Sequence, residues 1–360
     1  MSRSLRLRVV AALAATAVVA ALAFAAAGSA GYKAQPLVIK GELIASAALW
    51  AQAKQEGVLN AYFSYPNGIM SKVVAQFTAD TGVKVNLTSL ASNVLAERVQ
   101  TEWGAKQLNA DVLSFSERAT MQSFLTNGIL TPYKVPLFKQ IPASLKNGQG
   151  YYTAETRIVI GLAFNKLYIK GKDIPRSWLA LLNPKWKGKI GMTTALTGGV
   201  GWTAAMFERE HFGLGYWTKL AAQQPFEATG VGQLTNALTT GQIWLAVDHL
   251  GTLRAAALAG APLGFYFPRE GTPTVIESLG VVSTAAHPAA ARLYENWVMS
   301  KYGQHVFTNL SGEYGVYPDI VGPGMPKSTR AALWYPTLHD YLSLRTKWLA
   351  EWQKVFNYVP

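Results

Sequence analysis

The sequence predicts an α/β protein with parallel strands, and three observations lead to this fold class. Between residues 58 and 125, short apolar runs alternate with longer segments in which apolar side chains recur every three or four positions. Residues 151–165 form a long β-rich run, YYTAETRIVIGLAFN. After the first 30 residues, no tandem repeat or long linker divides the chain. Alternating strands and helices are typical of a parallel sheet whose loops gather at the carboxyl ends of the strands.

The first half of the chain shows this alternation element by element. In order, we expect a helix over 49–55, a strand over 58–64, a helix over 69–81, a strand over 83–88, a helix from Ser92 onward, a strand over 111–116 and a helix over 121–125. Gly57 and Gly82 separate a helix from the strand that follows, as helix-ending glycines often do. The strand ends therefore predict polar loops on one edge of the sheet.

Residues 173–202 predict a helix, a basic turn, a strand and a loop in close succession. Trp178, Leu181 and Leu182 fall on one face of a short helix that Pro184 ends, because proline lacks the amide donor. A buried strand begins at Ile190 and leads into a loop rich in threonine and glycine. That loop opens a helix over 201–211, where free backbone amides would suit an anionic ligand.

The remaining elements follow from the same patterns. We expect strands over 243–247 and 263–268, a β-rich run over 273–283, a helix over 289–299 that packs Leu293, Tyr294 and Trp297, and helices within 333–358. Asp248 and His249 are expected just beyond the strand over 243–247.

Several ordered motifs resemble one family. Residues 175–190 match P-x-S-W-x-x-L-x-x-P-K-W-K-G-K-I, and AKQEGVLNAYFSYPNG (53–68), FTADTGVKVN (77–86) and ADVLSFS (110–116) match segments of its first half. The His287-Pro288 helix start and the following S-x-x-G-Q turn match its second half. The chain thus resembles the bacterial extracellular solute-binding proteins of ABC transporters, in the branch that includes ferric-iron, phosphonate, thiamine and sugar-phosphate binders.

The resemblance implies a two-lobed type 2 periplasmic-binding fold. Each lobe would hold a mixed, mostly parallel sheet flanked by helices, and hinge strands at 151–165 and 273–283 would cross between the lobes. The implied first lobe comprises residues 31–157 and 273–315. The second comprises residues 158–272 and 316–360, with the C-terminal helices.

Composition and the N-terminus indicate export. Three arginines precede an apolar, alanine-rich run, and small residues at 28–30 suggest a cleaved signal peptide over residues 1–30. A retained membrane anchor is the alternative. The chain has no cysteine, which excludes disulfides and thiolate chemistry, and its net charge is +13. Export and the lack of a nucleic-acid-binding motif favour an anionic solute or an anionic membrane surface over nucleic acid as the partner of this charge. A charge that serves only solubility is the alternative.

Candidate ligand-binding residues lie at the predicted strand ends of both lobes. The first lobe offers Ser64, Tyr65, Ser92, Asn93, Ser116 and Glu117. Ser92 would equally serve as a plain helix cap. In the second lobe, the resemblance places ligand contacts in the loop with Thr194, Thr197, Gly198 and Gly199, and at Asp248 and His249. Asp248 would otherwise cap a helix. Arg157, in the first crossing, would bind an anion or form a salt bridge at the hinge.

The family's ferric-iron members carry consecutive tyrosines where this chain has Asp248 and His249, and often a His-x-Glu pair where it has Ser64 to Asn67. The five histidines are dispersed, so we expect no metal site and no cofactor. The resemblance implies a periplasmic receptor, expected to be a monomer, that hands a small solute to an inner-membrane permease and its ATPase. Alternatives are a ferric-iron or iron-chelate binder, a sensor partner and an exported enzyme, for which no catalytic motif is present.

Overall fold

The computed structural model describes residues 35–327 and 332–357. The predicted signal peptide, residues 1–30, lies outside the described residues. Within them the chain forms strands and helices in the alternating order that the sequence predicts. Among these residues, no helix combines the length and the apolar character that a membrane crossing requires.

The elements are named here in chain order. The first part contains β1 (Leu37–Ile39), β2 (Glu42–Ala45), α1 (Ala47–Glu56), β3 (Val58–Phe63), α2 (Asn67–Thr81), β4 (Lys84–Ser89), α3 (Ser92–Gly104), β5 (Val112–Phe115), α4 (Arg118–Thr126), β6 (Leu130–Thr131) and β7 (Thr153–Asn165). The next part contains β8 (Ile190–Thr193), α5 (Gly199–Phe212), α6 (Leu214–Ala221), β9 (Phe226–Ala228), α7 (Val231–Thr240), β10 (Leu245–His249), α8 (Leu250–Leu258) and β11 (Leu263–Tyr266). The last part contains β12 (Thr272–Val282), α9 (Pro288–Met299), α10 (Lys301–Ser311), β13 (Leu333–Trp334), α11 (Leu338–Ser343) and α12 (Arg345–Phe356).

One mixed sheet runs through both halves of the molecule in the order β4-β3-β5-β12-β7-β10-β8-β9. Strands β3, β4 and β5 are parallel to one another, and so are β8, β9 and β10. We call the elements packed around β3, β4 and β5 the first lobe, and those around β8, β9 and β10 the second lobe. The sheet is continuous, so the exact lobe bounds expected from the sequence stay a prediction.

The long strands β7 and β12 connect the lobes, as the resemblance implies. They pair with each other in antiparallel fashion, and every residue of both is buried. The first part of β7 faces β12, whereas its last residues pair with β10 and β11 of the second lobe. A register shift between Glu277 and Ser278 leaves Glu155 as an extra residue on β7. Such bulges bend a strand locally.

The segment between Pro175 and Pro184 differs from the prediction of a short α-helix. Residues Trp178–Leu182 and Pro184–Trp186 form two 3₁₀ turns instead. Pro184 lies two residues after Leu182 and ends the helical segment, because proline lacks the amide donor. Short helical segments of this kind often form 3₁₀ turns. The predicted apolar face is nevertheless used, because Trp178 is fully buried and its indole nitrogen donates to Gly271 O at 2.9 Å.

The core of each lobe forms where the helical patterns predict. In the first lobe, Leu293, Tyr294 and Trp297 of α9 are fully buried, and the rings of Tyr294 and Trp297 pack edge-on against Phe77. This confirms the predicted face of α9. At the C-terminus, α11 packs against α4 of the first lobe and α12 against α6 of the second. The C-terminal segment therefore contacts both lobes.

Several carboxyl groups are enclosed in this core. Burial raises the pKa of Glu208 and of Glu277 to about 8 and that of Glu155 to about 7. Glu208, on α5, accepts a hydrogen bond from the indole nitrogen of Trp217 at 3.2 Å. Each group is thus protonated in the folded chain at a pH where it is ionised in the unfolded chain.

These groups predict that stability decreases as the pH rises. Their contribution is complete below pH 4.5, their ordinary pKa, and is lost as the pH rises through about 8. In this window the free energy of unfolding should fall by on the order of 1 kcal/mol per pH unit for each group. Urea unfolding at pH 5, 7 and 8.5 measures this slope. Glu208→Gln should flatten it, whereas Glu210→Gln, at an exposed position of the same helix, should leave it unchanged. Equal slopes for wild type and Glu208→Gln would contradict the assignment.

Candidate functional site

A cavity of about 320 Å³ lies between the lobes, at the carboxyl ends of the parallel strands. Strand-end loops of both lobes form its walls. It is lined by Ser64, Tyr65, Pro66, Asn67, Ser89, Leu90, Ala91, Ser92 and Ser116 of the first lobe, and by Thr193, Thr197, Gly199, Val200, Thr229, Gly230, Val231 and Gly232 of the second. None of these side chains carries a formal charge.

Four helices begin at this cavity. The first residues of α2, α3, α5 and α7 are Asn67, Ser92, Gly199 and Val231, and all four line it. None of these four helices has a side-chain cap at its N-terminus. Helices α6, α8, α9 and α12 also lack one, whereas α1, α4, α10 and α11 have one. A helix N-terminus carries partial positive charge and unpaired N–H donors. The cavity is therefore surrounded by helix N-termini that no side chain caps.

Ser92 adds a side-chain donor to this set. Its side chain is buried, and its Oγ has no hydrogen-bond partner in the part of the chain that the structure describes. It does not cap α3, because Ala91 occupies the cap position and makes no side-chain bond. A buried hydroxyl without a partner is costly unless a ligand or water satisfies it.

The Gly198-Gly199 turn touches the first lobe. A Cβ atom built on Gly199 would lie 2.5 Å from Ser116 Oγ and 2.8 Å from Ser116 O. One built on Gly198, whose φ is +89°, would lie 3.1 Å from Glu117 Oε2. The turn thus requires glycine both for its conformation and for the close approach of the lobes. Gly199 lines the cavity, and Gly198 lies at its edge.

Glu117 and Asn93 lie outside the cavity lining. Glu117 is buried; its Oε1 accepts from Ala119 N at 3.4 Å, and its Oε2 accepts from Arg345 of α12 at 3.0 Å. These two hydrogen bonds connect the Glu117 carboxylate to α4 and to the C-terminal segment. Asn93 is exposed on the first turn of α3, directly after Ser92.

The prediction that Asp248 and His249 lie just beyond their strand is wrong. Both lie within β10, because the strand is shifted two residues along the chain and pairs there with Gly161 and Ile160 of β7. Burial raises the pKa of Asp248 to about 6, and its Oδ1 accepts from Thr193 Oγ1 at 3.0 Å. Asp248 therefore reaches the cavity only through Thr193.

His249 lies between the lobes on the hinge side of the cavity. Its Nε2 is 2.6 Å from Glu313 Oε1 and 3.4 Å from the hydroxyl of Tyr65, which belongs to the first lobe. The Glu313 carboxylate also accepts from Val159 N on β7 at 2.9 Å. Burial raises the pKa of Tyr65 well above its usual value. This cluster joins both lobes to the crossing strand.

Arg157 and Thr194 make contacts within the fold, although Arg157 Nη2 is buried without a partner among the described residues. Arg157 Nε donates to Gly315 O at 2.6 Å, and the guanidinium lies over the ring of Tyr314, so it holds the hinge. It does not line the cavity. Thr194 is buried below the loop, where its carbonyl accepts from the Thr197 hydroxyl at 2.8 Å. Thr194 thereby orients Thr197, which does line the cavity.

The structure brings Ser64, Tyr65, Ser92, Ser116, Thr197 and Gly199 together around one cavity, and places the other seven candidates beside or behind it. Sequence reasoning missed Ser89, Thr193 and the segment from Thr229 to Gly232. The last follows the three-residue strand β9, which is too short for its apolar pattern to be recognised. The Thr229-Gly230 pair before a helical pattern is the signal that could have located it.

No group of three His, Asp or Glu side chains suited to a metal ion occurs within residues 35–327 and 332–357. In the cavity, Tyr65 contributes a single phenol, and the lining contains no carboxylate. Hydroxyls, backbone amides and the side-chain amide of Asn67 are the polar groups that remain. The arrangement suits a ligand that accepts hydrogen bonds.

Comparison with known proteins identifies the family. Iron uptake protein A1 of Synechocystis is 26% identical over 75% of this chain and 78% of its own. Spermidine/putrescine-binding periplasmic protein 1 of Haemophilus influenzae is 24% identical over 66% of this chain and 68% of its own. The periplasmic binding protein AfuA of Actinobacillus pleuropneumoniae, with fructose-6-phosphate bound, shares the fold with a TM-score of 0.73 at 20% identity, covering 84% of this chain and all of AfuA. The bacterial extracellular solute-binding protein family matches residues 58–309, and the chain belongs to that family.

Proposed function

We propose that this protein is the periplasmic receptor of an ABC importer that captures a small anionic solute by lobe closure. It would deliver the solute chemically unaltered to an inner-membrane permease and its ATPase. The family supports solute binding, and relatives named as periplasmic binding proteins support the compartment. The predicted signal peptide is consistent with both.

The anionic class rests on one observation, the convergence of four uncapped helix N-termini on a single cavity. Each N-terminus favours negative charge by roughly 0.3–1 kcal/mol at an exposed site, and more when partly buried. Hydroxyls of Ser64, Ser92 and Thr197 would complete the set of donors. Such donors bind a phosphoryl, phosphonyl or carboxylate group without a charged side chain.

The same lining argues against the cations that some relatives are named for. An amine or a ferric ion requires carboxylate or phenolate ligands, and the lining provides only Tyr65. Burial beside Glu313 disfavours ionisation of that phenol. The lining therefore provides too few ligands for a free ferric ion and no negative charge to pair with a polyamine.

Closure would couple binding to recognition by the permease. The two lobes already touch at Gly199 and Ser116, and the cavity lies between them. A solute that contacts both walls binds the closed form better and shifts the hinge equilibrium toward it. The permease would then distinguish the loaded receptor by the relative position of its lobes.

A ligand screen tests the proposed class. Thermal melting of the mature protein should shift with inorganic phosphate, fructose-6-phosphate or 2-aminoethylphosphonate, and not with spermidine, thiamine or free ferric ion. A shift with spermidine or ferric ion alone would overturn the anionic class. Turnover of any probe, followed by product analysis, would contradict delivery without chemistry.

Ser92→Ala should weaken binding of the anion found in that screen by about tenfold or more. Removal of one hydrogen bond to a charged group costs about 1.5–3 kcal/mol. Titration calorimetry measures the affinity, and the melting temperature of the empty protein should stay unchanged or rise. Ser71→Ala, at an exposed position of α2, is the matched control. Equal affinities for wild type and Ser92→Ala would contradict the role of Ser92.

Gly199→Ala should weaken solute binding by impeding closure. The added methyl would meet Ser116 at 2.5–2.8 Å, so the lobes would have to separate. Gly215→Ala, on α6 of the same lobe, is the control, because a Cβ there has nothing within 4 Å. Calorimetry should show a loss of affinity for Gly199→Ala alone, and small-angle scattering in saturating ligand should show a larger radius of gyration. A radius of gyration for ligand-saturated Gly199→Ala equal to that of wild type would contradict this assignment.

A further inference from the structure

A second cavity, of about 290 Å³, lies behind the first lobe and shares no lining residue with the interlobe cavity. Its walls come from α4, the loop over residues 143–148, the crossing strand β12 and the start of α11. We call it the rear cavity. It is lined by Arg118, Gln122, Ala143, Ser144, Leu145, Lys146, Asn147, Gly148, Tyr152, Ile276, Ser278 and Leu338.

The charges of the rear cavity are unbalanced. Its lining contains two cationic side chains, Arg118 and Lys146, and no carboxylate. Neither cation forms a salt bridge with any residue that the structure describes. Arg118 Nη1 donates only to Pro336 O, at 2.9 Å, and Lys146 Nζ donates only to Phe138 O. A partly buried charge without a counter-ion is costly, and an anion would offset that cost.

Burial also acts on the guanidinium itself. Desolvation lowers the pKa of Arg118, which shows that the fold withholds water from a group that stays charged. The guanidinium has five N–H donors in a planar fork, and the described contacts use one of them. The remaining donors match the geometry of a carboxylate or phosphate.

Neutral groups around Arg118 present further donors. Ser278 is 3% exposed and lines the cavity. Asn147 also lines the cavity; its Oδ1 accepts from Gln149 N at 3.0 Å, and its amide nitrogen is a further donor. Tyr152 adds a phenolic hydroxyl to the lining. The rear cavity therefore combines two cations with several neutral donors and has no carboxylate in its lining.

We propose that the rear cavity is a second anion-binding site, which takes a small carboxylate- or phosphate-bearing molecule between Arg118, Lys146 and Ser278. The strand β12 separates it from the transported solute: Ile276 and Ser278 line the rear cavity, while Glu277 between them accepts from Ser64 of the interlobe cavity at 2.9 Å. Its occupant also lies against Leu338, so binding would fasten the C-terminal segment to the first lobe.

The test separates the two cavities with matched variants. Inorganic phosphate and succinate are titrated against the full mature protein and its variants Arg118→Gln and Gly199→Ala, with thermal melting and calorimetry as readouts. We expect at least one of the two anions to raise the melting temperature of wild type and of Gly199→Ala. Arg118→Gln, introduced into the Gly199→Ala protein so that anion binding between the lobes is already weakened, should reduce the remaining affinity at least tenfold. Arg176→Gln, at an exposed arginine of the second lobe, is the control and should bind like wild type.

Three outcomes would overturn the proposal. They are the absence of binding by either anion, anion binding by Gly199→Ala that the added Arg118→Gln substitution leaves unchanged, and binding that Gly199→Ala abolishes while Arg118→Gln retains it. If Arg118→Gln fails to fold, Ser278→Ala and Lys146→Gln replace it, and the same tenfold loss is expected of at least one. Failure here leaves solute capture between the lobes intact, because the cavities have no lining residue in common.

Discussion

The antiparallel pairing of β7 and β12 is the constraint on which the rest of the molecule depends. These two buried strands are shared by both lobes, so each parallel sheet is extended from the same central pair. Because the parallel strands of both lobes end toward the interface, their loops meet there. The close approach of Gly199 and Ser116 is the direct result. A hinge of two continuous strands also restricts the relative motion of the lobes.

The neutral and the charged polar groups of the candidate site lie in different places. The interlobe cavity uses hydroxyls and helix N-termini, whereas the charged candidates Glu117, Arg157 and Asp248 are engaged in holding the hinge and the loops. Fixed backbone dipoles need no reorganisation when a ligand arrives, and their donors are already unpaired. The buried His249–Glu313 pair, beside Tyr65, extends the hinge network to the cavity wall.

The pattern-based elements were predictable to within a few residues, because apolar periodicity and glycine positions are local properties. Helix α9 and strand β7 illustrate this. The two-residue shift of β10 was not predictable, since the strand's end depends on its pairing with Gly161 and Ile160, which are distant in sequence. That shift decided whether Asp248 and His249 lie in a loop or in the sheet. The 3₁₀ turn at Trp178 has a local cause, the nearby Pro184, but apolar periodicity alone does not distinguish it from an α-helix.

The sequence by itself determined the fold class, the family resemblance and the polar loops from which a binding site would be built. Those follow from hydrophobic period, helix-stop residues and ordered motifs, each carried by neighbouring residues. Only the tertiary structure decided which polar groups face the solute, because orientation depends on strand register and on the approach of two lobes. It placed Ser92 at the cavity and Arg157 in the hinge, and it brought Thr229 and Val231 opposite Ser64. The rear cavity around Arg118 arises from four separate segments, so no local pattern could have indicated it.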